Sequence, residues 1–355
     1  MLQPLRIPGS YFWSEWQDHI GLPGNSFLFT SKSGNAVIDP LPVDERTLQQ
    51  IEQLGGVAKI IVTPAAYQRD AQALSERFGA PVTTNVAHDE EIFPGMFAIK
   101  LNDQEHPGAF AVNIPELRVV LAGSCVLGTP AGALSMFPES AYADVTKAAL
   151  GLRRILRAYP QALLVGQGQS LFTGAYEAMY QLLYSQAGAY VHRINIDELD
   201  FRDGRDEHDE QPQTYQCRDA EVGLAIGARK LGYRVSTLEP GHRFCPLHSH
   251  AREEELFFVL EGTPSVRTLK QTVQCRPGDF IALPVGETGT HQLINEGDAP
   301  ATIILLARNE FPEVCYYPDS DKLLVDLEEP LINGRSSMMV HAGPDLDYFD
   351  GEPNL

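Results

Sequence analysis

From residue 222 to residue 307 the chain is a succession of short apolar runs broken by Gly and Pro, with no stretch of helical period. The runs fall at 222–228, 233–238, 256–260, 265–269, 272–275, 280–283, 292–295 and 302–307. Strands this short cannot each bury a face alone. About eight of them, closely spaced, are satisfied by wrapping into a closed barrel or jelly roll.

Four of the ten histidines, His242, His248, His250 and His291, fall inside this region. The first segment reads Gly241-His-Arg-Phe-Cys-Pro-Leu-His248-Ser-His250-Ala-Arg-Glu-Glu-Glu255, and the second runs from Gly278 through Pro284, Gly286 and His291 to Asn295. Residues two apart on a strand share a face, so His248 and His250 project together. Glu255 opens the next run in phase with Phe257 and Val259, and His291 is in phase with Leu293. Three imidazoles and a carboxylate converging in an apolar interior are expensive unless compensated. A divalent metal ion compensates them. Glu253 and Glu254 are read as solvated loop residues, His242 as a residue of the barrel mouth and Cys245 as a packed apolar side chain.

These two segments resemble the paired motifs of the cupin superfamily. The match runs through Gly241, His248, His250, Glu255 and Gly262, then Gly278, Pro284, Gly286, His291 and Asn295. It departs from the usual spacing in two places. Six residues separate Gly241 from His248, and four separate Gly286 from His291. Both differences are expected to fall in loops. The resemblance implies an all-β cupin barrel with His248, His250, Glu255 and His291 as ligands of one divalent transition metal. Nitrogen and oxygen donors suit Zn, Ni, Fe, Mn or Cu, and the set does not choose among them. The tail around Cys315-Tyr-Tyr-Pro-Asp319 and Asp347-Tyr-Phe-Asp-Gly-Glu352 resembles segments of bacterial cupins without an agreed reaction.

The N-terminal half follows another pattern. Two strand-like runs in 25–40 surround a Ser33-Gly34 turn, and 45–54 has helical spacing through Leu48, Ile51 and Leu54. A strand at 59–63, a helix at 70–78 and a strand from 79–82 follow. Helical stretches are expected at 141–159 and 174–186. In the second of these, Tyr176, Met179, Tyr180 and Leu183 form a core stripe. The alternation predicts an α/β layered domain.

The order of these elements resembles the metallo-β-lactamase fold, an αββα arrangement. The positions at which that family carries metal ligands are altered here. After the 59–63 strand they are Pro64, Ala66, Gln68 and Arg69. Glu105 stands where a histidine is expected, with His106 one place out of register. Ser124 replaces the bridging aspartate and Gln167 the last histidine. Such side chains provide no set of anionic and imidazole donors. Residues 1–190 are therefore expected to be a metal-free, catalytically silent relative, serving as a scaffold, a dimerisation surface or a lid.

The expected organisation is a domain at 1–190 and a cupin domain at 191–355, joined through the acidic stretch 197–219. Val191 to Ile196 are a candidate first strand of the second domain. Asp206, His208, Asp209 and Glu210 are read as exposed charge rather than ligands. The formal net charge of -20 excludes nucleic acid and anionic membranes as partners. No run reaches the roughly 20 apolar residues needed to span a bilayer, and the first residues lack the build of a signal peptide. Five widely spaced cysteines without a C-x-x-C pair fit reduced thiols, hence a cytoplasmic protein.

The partner expected is a small organic molecule, bound or transformed at the 3-His/1-Glu centre, and the cupin resemblance implies a homodimer. Oxygenase and isomerase are the reaction classes that the resemblance suggests. The alternatives are a non-catalytic binding or sensing module with a structural metal, and an assembly scaffold. No catalytic residue beyond the ligands is assigned.

Overall fold

The computed structural model describes every residue except 64–69, 102–105, 204–212, 328–335, 344–345, 348–349 and 351–355. The chain divides into two compact units. One comprises Met1–Ile194 with Ala225–Gly227, the other Asn195–Leu224 with Ala228–Leu355.

The first unit is built on one 11-stranded sheet. Its largely apolar strands Val119–Gly128 and Ala162–Gly168 pair in parallel and are buried along their whole length, as expected of strands covered on both faces. Alternation along Leu22–Ser31 and Gly34–Ile38 sends side chains to two cores. Phe27, Phe29, Ala36 and Ile38 join Ala98, Phe110, Val112, Leu121 and Leu164. These come from both halves of the strand order, so the sheet folds over onto itself. The intervening Leu28 and Val37 face the other way, onto Ile51 and Leu74 of the helices Glu45–Gln53 and Ala71–Phe78. Asp44 caps the first of these helices through the Thr47 N–H. Helix Ala175–Ala187 buries Tyr176, Met179 and Leu183 of the expected stripe, whereas Tyr180 is only half-buried, its hydroxyl 3.3 Å from His192 Nδ1.

Three local expectations are corrected. The helix at 141–159 is two pieces, Val145–Gly151 and Arg154–Arg157. Gly151 weakens the helix, and the guanidinium of the buried Arg153 at the break reaches the Tyr190 carbonyl at 2.9 Å. The stretch 191–196 is not a strand: 3₁₀ turns occupy Gly188–His192 and Ile196–Glu198. The run at 222–228 is a 3₁₀ turn at Leu224–Ile226, preceded by the strand Arg218–Glu221. There the Glu221 carboxylate takes the Leu224 N–H, and Gly227 at φ 89° turns the chain away.

The second unit is a β barrel. Its larger sheet runs Arg202–Asp203, Arg218–Glu221, Leu231–Leu238, Ala301–Arg308, Glu255–Glu261 and Phe280–Leu283 in spatial order. Opposite stands a three-stranded sheet of Thr272–Gln274, Ser265–Arg267 and Gln292–Ile294. Leu238, Phe257, Val259, Ile303 and Leu305 from the first meet Val266, Leu293 and Cys275 to fill the barrel. A third sheet, Ser249–His250, Glu313–Tyr317, Lys322–Asp326 and Ser337–His341, extends the structure past the barrel. Arg267 ties the two regions with a two-pronged ion pair to Asp319, at 2.7 and 2.9 Å. No described helix is long and apolar enough to cross a membrane.

Candidate metal centre

His248 and His291 are brought face to face by the backbone. Each donates its N–H to the other's carbonyl, at 3.1 and 2.8 Å, in an isolated antiparallel bridge. His250 lies on the two-residue strand Ser249–His250, and Glu255 begins the strand Glu255–Glu261. In that strand Phe257 and Val259 point inward in phase with the carboxylate. The imidazole rings of His248 and His291 lie with centroids 4.6 Å apart, and those of His248 and His250 4.8 Å apart. Ligand-type atoms of His248, His250 and Glu255 all fall within 4.8 Å of one another. His291 adds its Nε2 at 3.1 Å from Glu255 Oε2, and His250 Nε2 is 3.3 Å from the same oxygen.

The four side chains that the sequence singles out are thus in one place. Their outer nitrogens are held so that the inner ones converge. His248 Nδ1 lies 2.9 Å from the Pro246 carbonyl and His291 Nδ1 2.9 Å from the Gly289 carbonyl. A carbonyl can only accept, so each Nδ1 carries a proton, and in the neutral imidazole Nε2 is then the lone-pair nitrogen open to a cation.

The extra residues between Gly286 and His291 form the 3₁₀ turn Glu287–Gly289, which supplies one of these carbonyls. A side chain at Gly289 would meet the Pro284 carbonyl at 1.7 Å, so only glycine closes this turn. Asn295, at the end of the second motif, donates to the Leu238 and Ala299 carbonyls and accepts from Gly297 N. Its part is to fix the turn.

Two buried atoms stand out. His250 Nε2 and Glu255 Oε2 meet no partner at hydrogen-bonding geometry despite facing each other across the centre. Leaving a buried polar group unmatched costs about 1–3 kcal/mol, and more for a charged one. A cation between them would satisfy both. The donor set, three imidazoles and one carboxylate, suits a borderline transition metal.

The electrostatics follow the crowding. Burial, with His291 and His250 beside it, pushes the His248 imidazole down to about 4. Burial would lower His250 as well, but Cys315 and Glu255 outweigh it and hold that imidazole well above its ordinary value. Burial would raise the Glu255 carboxyl, yet His250 and His291 keep it well below the usual carboxylate range.

Glu253 is corrected from a solvated loop residue. Its carboxylate lies 3.8 Å from His250 Nδ1, and burial pushes it up to about 7. Glu254 is exposed as expected. His242 Nδ1 meets the Gln216 carbonyl at 2.9 Å. Cys245 is half-buried, its thiol pushed up by burial, and its carbonyl accepts from Gln292.

Sequence reasoning missed Glu313, Cys315 and Tyr317 as neighbours of the centre. Tyr317 stacks on His248 with ring centroids 5.7 Å apart, and burial raises its phenol. His250, Glu313 and Cys315 form a second group with ligand-type atoms within 4.8 Å. The strand-like alternation around Cys315 was the available signal.

In the first unit, Ser124 and Gln167 are buried, and Ser124 Oγ and Gln167 Oε1 have no hydrogen-bond partner. His106 Nε2 lies 2.9 Å from the Ala148 carbonyl, with the ring edge-on to Tyr142. Asp39 accepts from the Thr63 N–H and hydroxyl at 2.8 and 2.7 Å. Pro64, Ala66, Gln68, Arg69 and Glu105 lie outside the described residues, as do Asp206, His208, Asp209 and Glu210. Both groups of clustered metal-ligand side chains found among the described residues belong to the second unit. The first unit also holds a cleft of about 490 Å³, lined by Phe12, Phe27, Asn25, Gly168 and Phe172 among others.

Residues 2–185, more than half of the 355, match the family model described as the metallo-beta-lactamase superfamily, and residues 234–307 match that of the cupin domain. The chain belongs to the metallo-beta-lactamase superfamily and carries a cupin domain after that region.

Germin-like protein subfamily 2 member 1 of Arabidopsis thaliana is 34% identical over 100 residues, 26% of this chain and 44% of that protein. The chain thus spans less than half the length of this curated relative. Among solved structures, a sugar phosphate isomerase from a cupin superfamily, of Silicibacter pomeroyi, is 23% identical, covering 42% of this chain and 92% of that one at a TM-score of 0.36. A metallo-beta-lactamase of Erythrobacter litoralis is 15% identical, covering 51% of this chain and 89% of that one at a TM-score of 0.39.

Proposed function

We propose that the protein is a metal-binding cupin in which one divalent transition-metal ion is held by His248, His250, Glu255 and His291, and that it binds or transforms a small organic molecule there. The observation that carries this reading is the pair of buried, unpartnered atoms His250 Nε2 and Glu255 Oε2 amid the other imidazoles. The ion would act as a Lewis acid that orients a chelating ligand, leaving up to two further positions in octahedral geometry. The chain's own contribution is to fix the tautomers of His248 and His291 and to line the interior with Phe257 and Val259. The test is metal analysis of the purified protein. One ion per chain is expected, lost on changing both His248 and His250 to Ala. Stoichiometric metal surviving that double change sinks the assignment.

The same reading makes the first unit silent in metal chemistry, because neutral Ser124 and Gln167 occupy two of the family's donor positions. Metal found on a variant lacking all four cupin donors overturns this. The reading extends to a cytoplasmic homodimer. Five free cysteines suit a reducing compartment. The outer face of the larger barrel sheet carries Leu256, Phe258, Ile304 and Leu306 beside Phe280, whose surface is 72% exposed. Phe280→Lys is expected to shift a dimer to monomer in light scattering. A dimer indifferent to that change places the contact elsewhere.

A further inference from the structure

His250 differs from the other two imidazoles in what steadies it. His248 and His291 each use a carbonyl two residues back, within their own loops. His250 Nδ1 instead faces Cys315 Sγ at 3.4 Å, Glu313 Oε1 at 3.6 Å and Glu253 Oε2 at 3.8 Å. Cys315 and Glu313 come from the strand Glu313–Tyr317, in which Cys315 sits directly opposite His250. Cys315 and Glu313 are both buried.

Glu313 has a second engagement. One carboxylate oxygen accepts the Ala251 N–H at 2.8 Å, and the other accepts those of Arg252 and Glu253, both at 3.0 Å. These residues are the link between His250 and Glu255. A carboxylate so committed is a staple for the link. At 3.6 Å it is too far from Nδ1 for a hydrogen bond, but near enough to favour a proton there. Cys315 Sγ, at sulfur's longer contact distance, is the atom in hydrogen-bonding reach.

We propose that Cys315 is a positioning residue for the metal centre, accepting a hydrogen bond from His250 Nδ1 so that Nε2 is presented to the ion, while Glu313 locks the His250–Glu255 link in register. The proposal rests on the metal-centre reading given above. A neutral imidazole bound through Nε2 must carry its proton on Nδ1, so the nitrogen donates and the sulfur accepts. Partners of this kind orient a ligand and raise its basicity, and their loss commonly weakens metal binding by about 10–100-fold.

The test uses the full chain and Co²⁺, followed by its visible absorption and by competition with a chelator. Cys315→Val keeps an apolar, strand-forming side chain without an acceptor. It is expected to weaken Co²⁺ binding by about 10–100-fold and to shift the absorption bands. Saturation should remain at one ion per chain. Cys315→Ser, which restores an acceptor, is expected to recover most of the affinity. Should the valine variant fail to fold, Cys315→Ala carries the same expectation.

Wild-type affinity and spectrum in the valine or alanine variant overturn the proposal. A serine variant as weak as the valine one overturns the hydrogen-bond role. Two ions in the wild type, one of them lost with Cys315, would make this residue a ligand and overturn it as well. If the wild type binds no Co²⁺, or the His248→Ala/His250→Ala variant binds it normally, the centre itself fails. If that double variant loses the ion while the Cys315 variants bind normally, only the positioning role fails.

Discussion

Ser124 Oγ and Gln167 Oε1 in the first unit, and His250 Nε2 and Glu255 Oε2 in the second, are all buried without a hydrogen-bond partner. The two pairs have different remedies. A hydroxyl and an amide oxygen are neutral, and one ordered water can satisfy each. An imidazole nitrogen and a carboxylate oxygen 3.3 Å apart, with two more imidazoles alongside, concentrate lone pairs on one point. Water cannot neutralise the carboxylate there, whereas a positive charge can, supplied by a metal ion or, in its absence, by a proton on His250. Unpartnered atoms alone therefore do not mark a metal site; their chemistry and convergence do.

The comparison can be broken or sharpened by experiments of decreasing size. Phe257, 1% exposed and edge-on to His291, anchors the barrel. Phe257→Ala is expected to lower the calorimetric stability of the second unit by about 3–5 kcal/mol and leave the first unit's transition in place. An equal loss in both would show that they do not melt separately. Metal added at about a thousandfold above its Kd should raise the second transition by about 4 kcal/mol and leave the first unmoved. A shift of the first transition instead relocates the ion.

Glu255→Gln keeps the size but removes the charge. In titration calorimetry it is expected to weaken metal binding by more than about 100-fold, or about 2.7 kcal/mol. Unchanged affinity would leave the carboxylate outside the ligand set. Gln167→Met removes an unmatched oxygen from the first unit and should be neutral or stabilising by up to about 1 kcal/mol in denaturant unfolding. A clear loss would reveal a partner for that oxygen in solution. Last, Ser124→Asp with Gln167→His returns two donors to the first unit. No second ion per chain is expected in metal analysis, since two ligands do not complete a tetrahedral set. A second ion would mean that the remaining donors are still present.

The convergence of His248, His250, Glu255 and His291 was legible because motif spacing and strand period agree over a short stretch. His248, His250 and Glu255 lie within eight residues of one another, and Leu293 reports the phase of His291. The surroundings of His250 were not legible. Ser249–His250 is a two-residue strand, and its pairing with Tyr316 and Cys315 depends on chain folding back more than 60 residues later. Nothing local encodes that register. Glu253 was misjudged for the same reason: its burial comes from the strand laid beside it.

In the first unit the layered α/β character was readable from alternation. The strand Ser10–Gln17 was not, because Glu15, Trp16 and Gln17 break the apolar pattern and Trp16 is exposed. The run at 222–228 misled in the opposite direction. Val222, Leu224 and Ile226 alternate as in a strand, but Gly223 and Gly227 leave the backbone free to turn.

The reciprocal backbone pair between His248 and His291 carries a consequence for how this chain can vary in length. Because the two residues are opposite each other on a ladder, their imidazoles keep their relation through backbone bonds rather than through any ion. A residue added between Gly286 and Gly289 enlarges a turn and leaves the ladder alone. A residue added between His291 and Asn295 rotates Leu293 out of the interior and turns one of the barrel's inner faces inside out. The neighbourhood of the centre thus divides into a stretch where added length changes only a turn and its Gly289 carbonyl, and one where it reverses a face, and the boundary runs at His291.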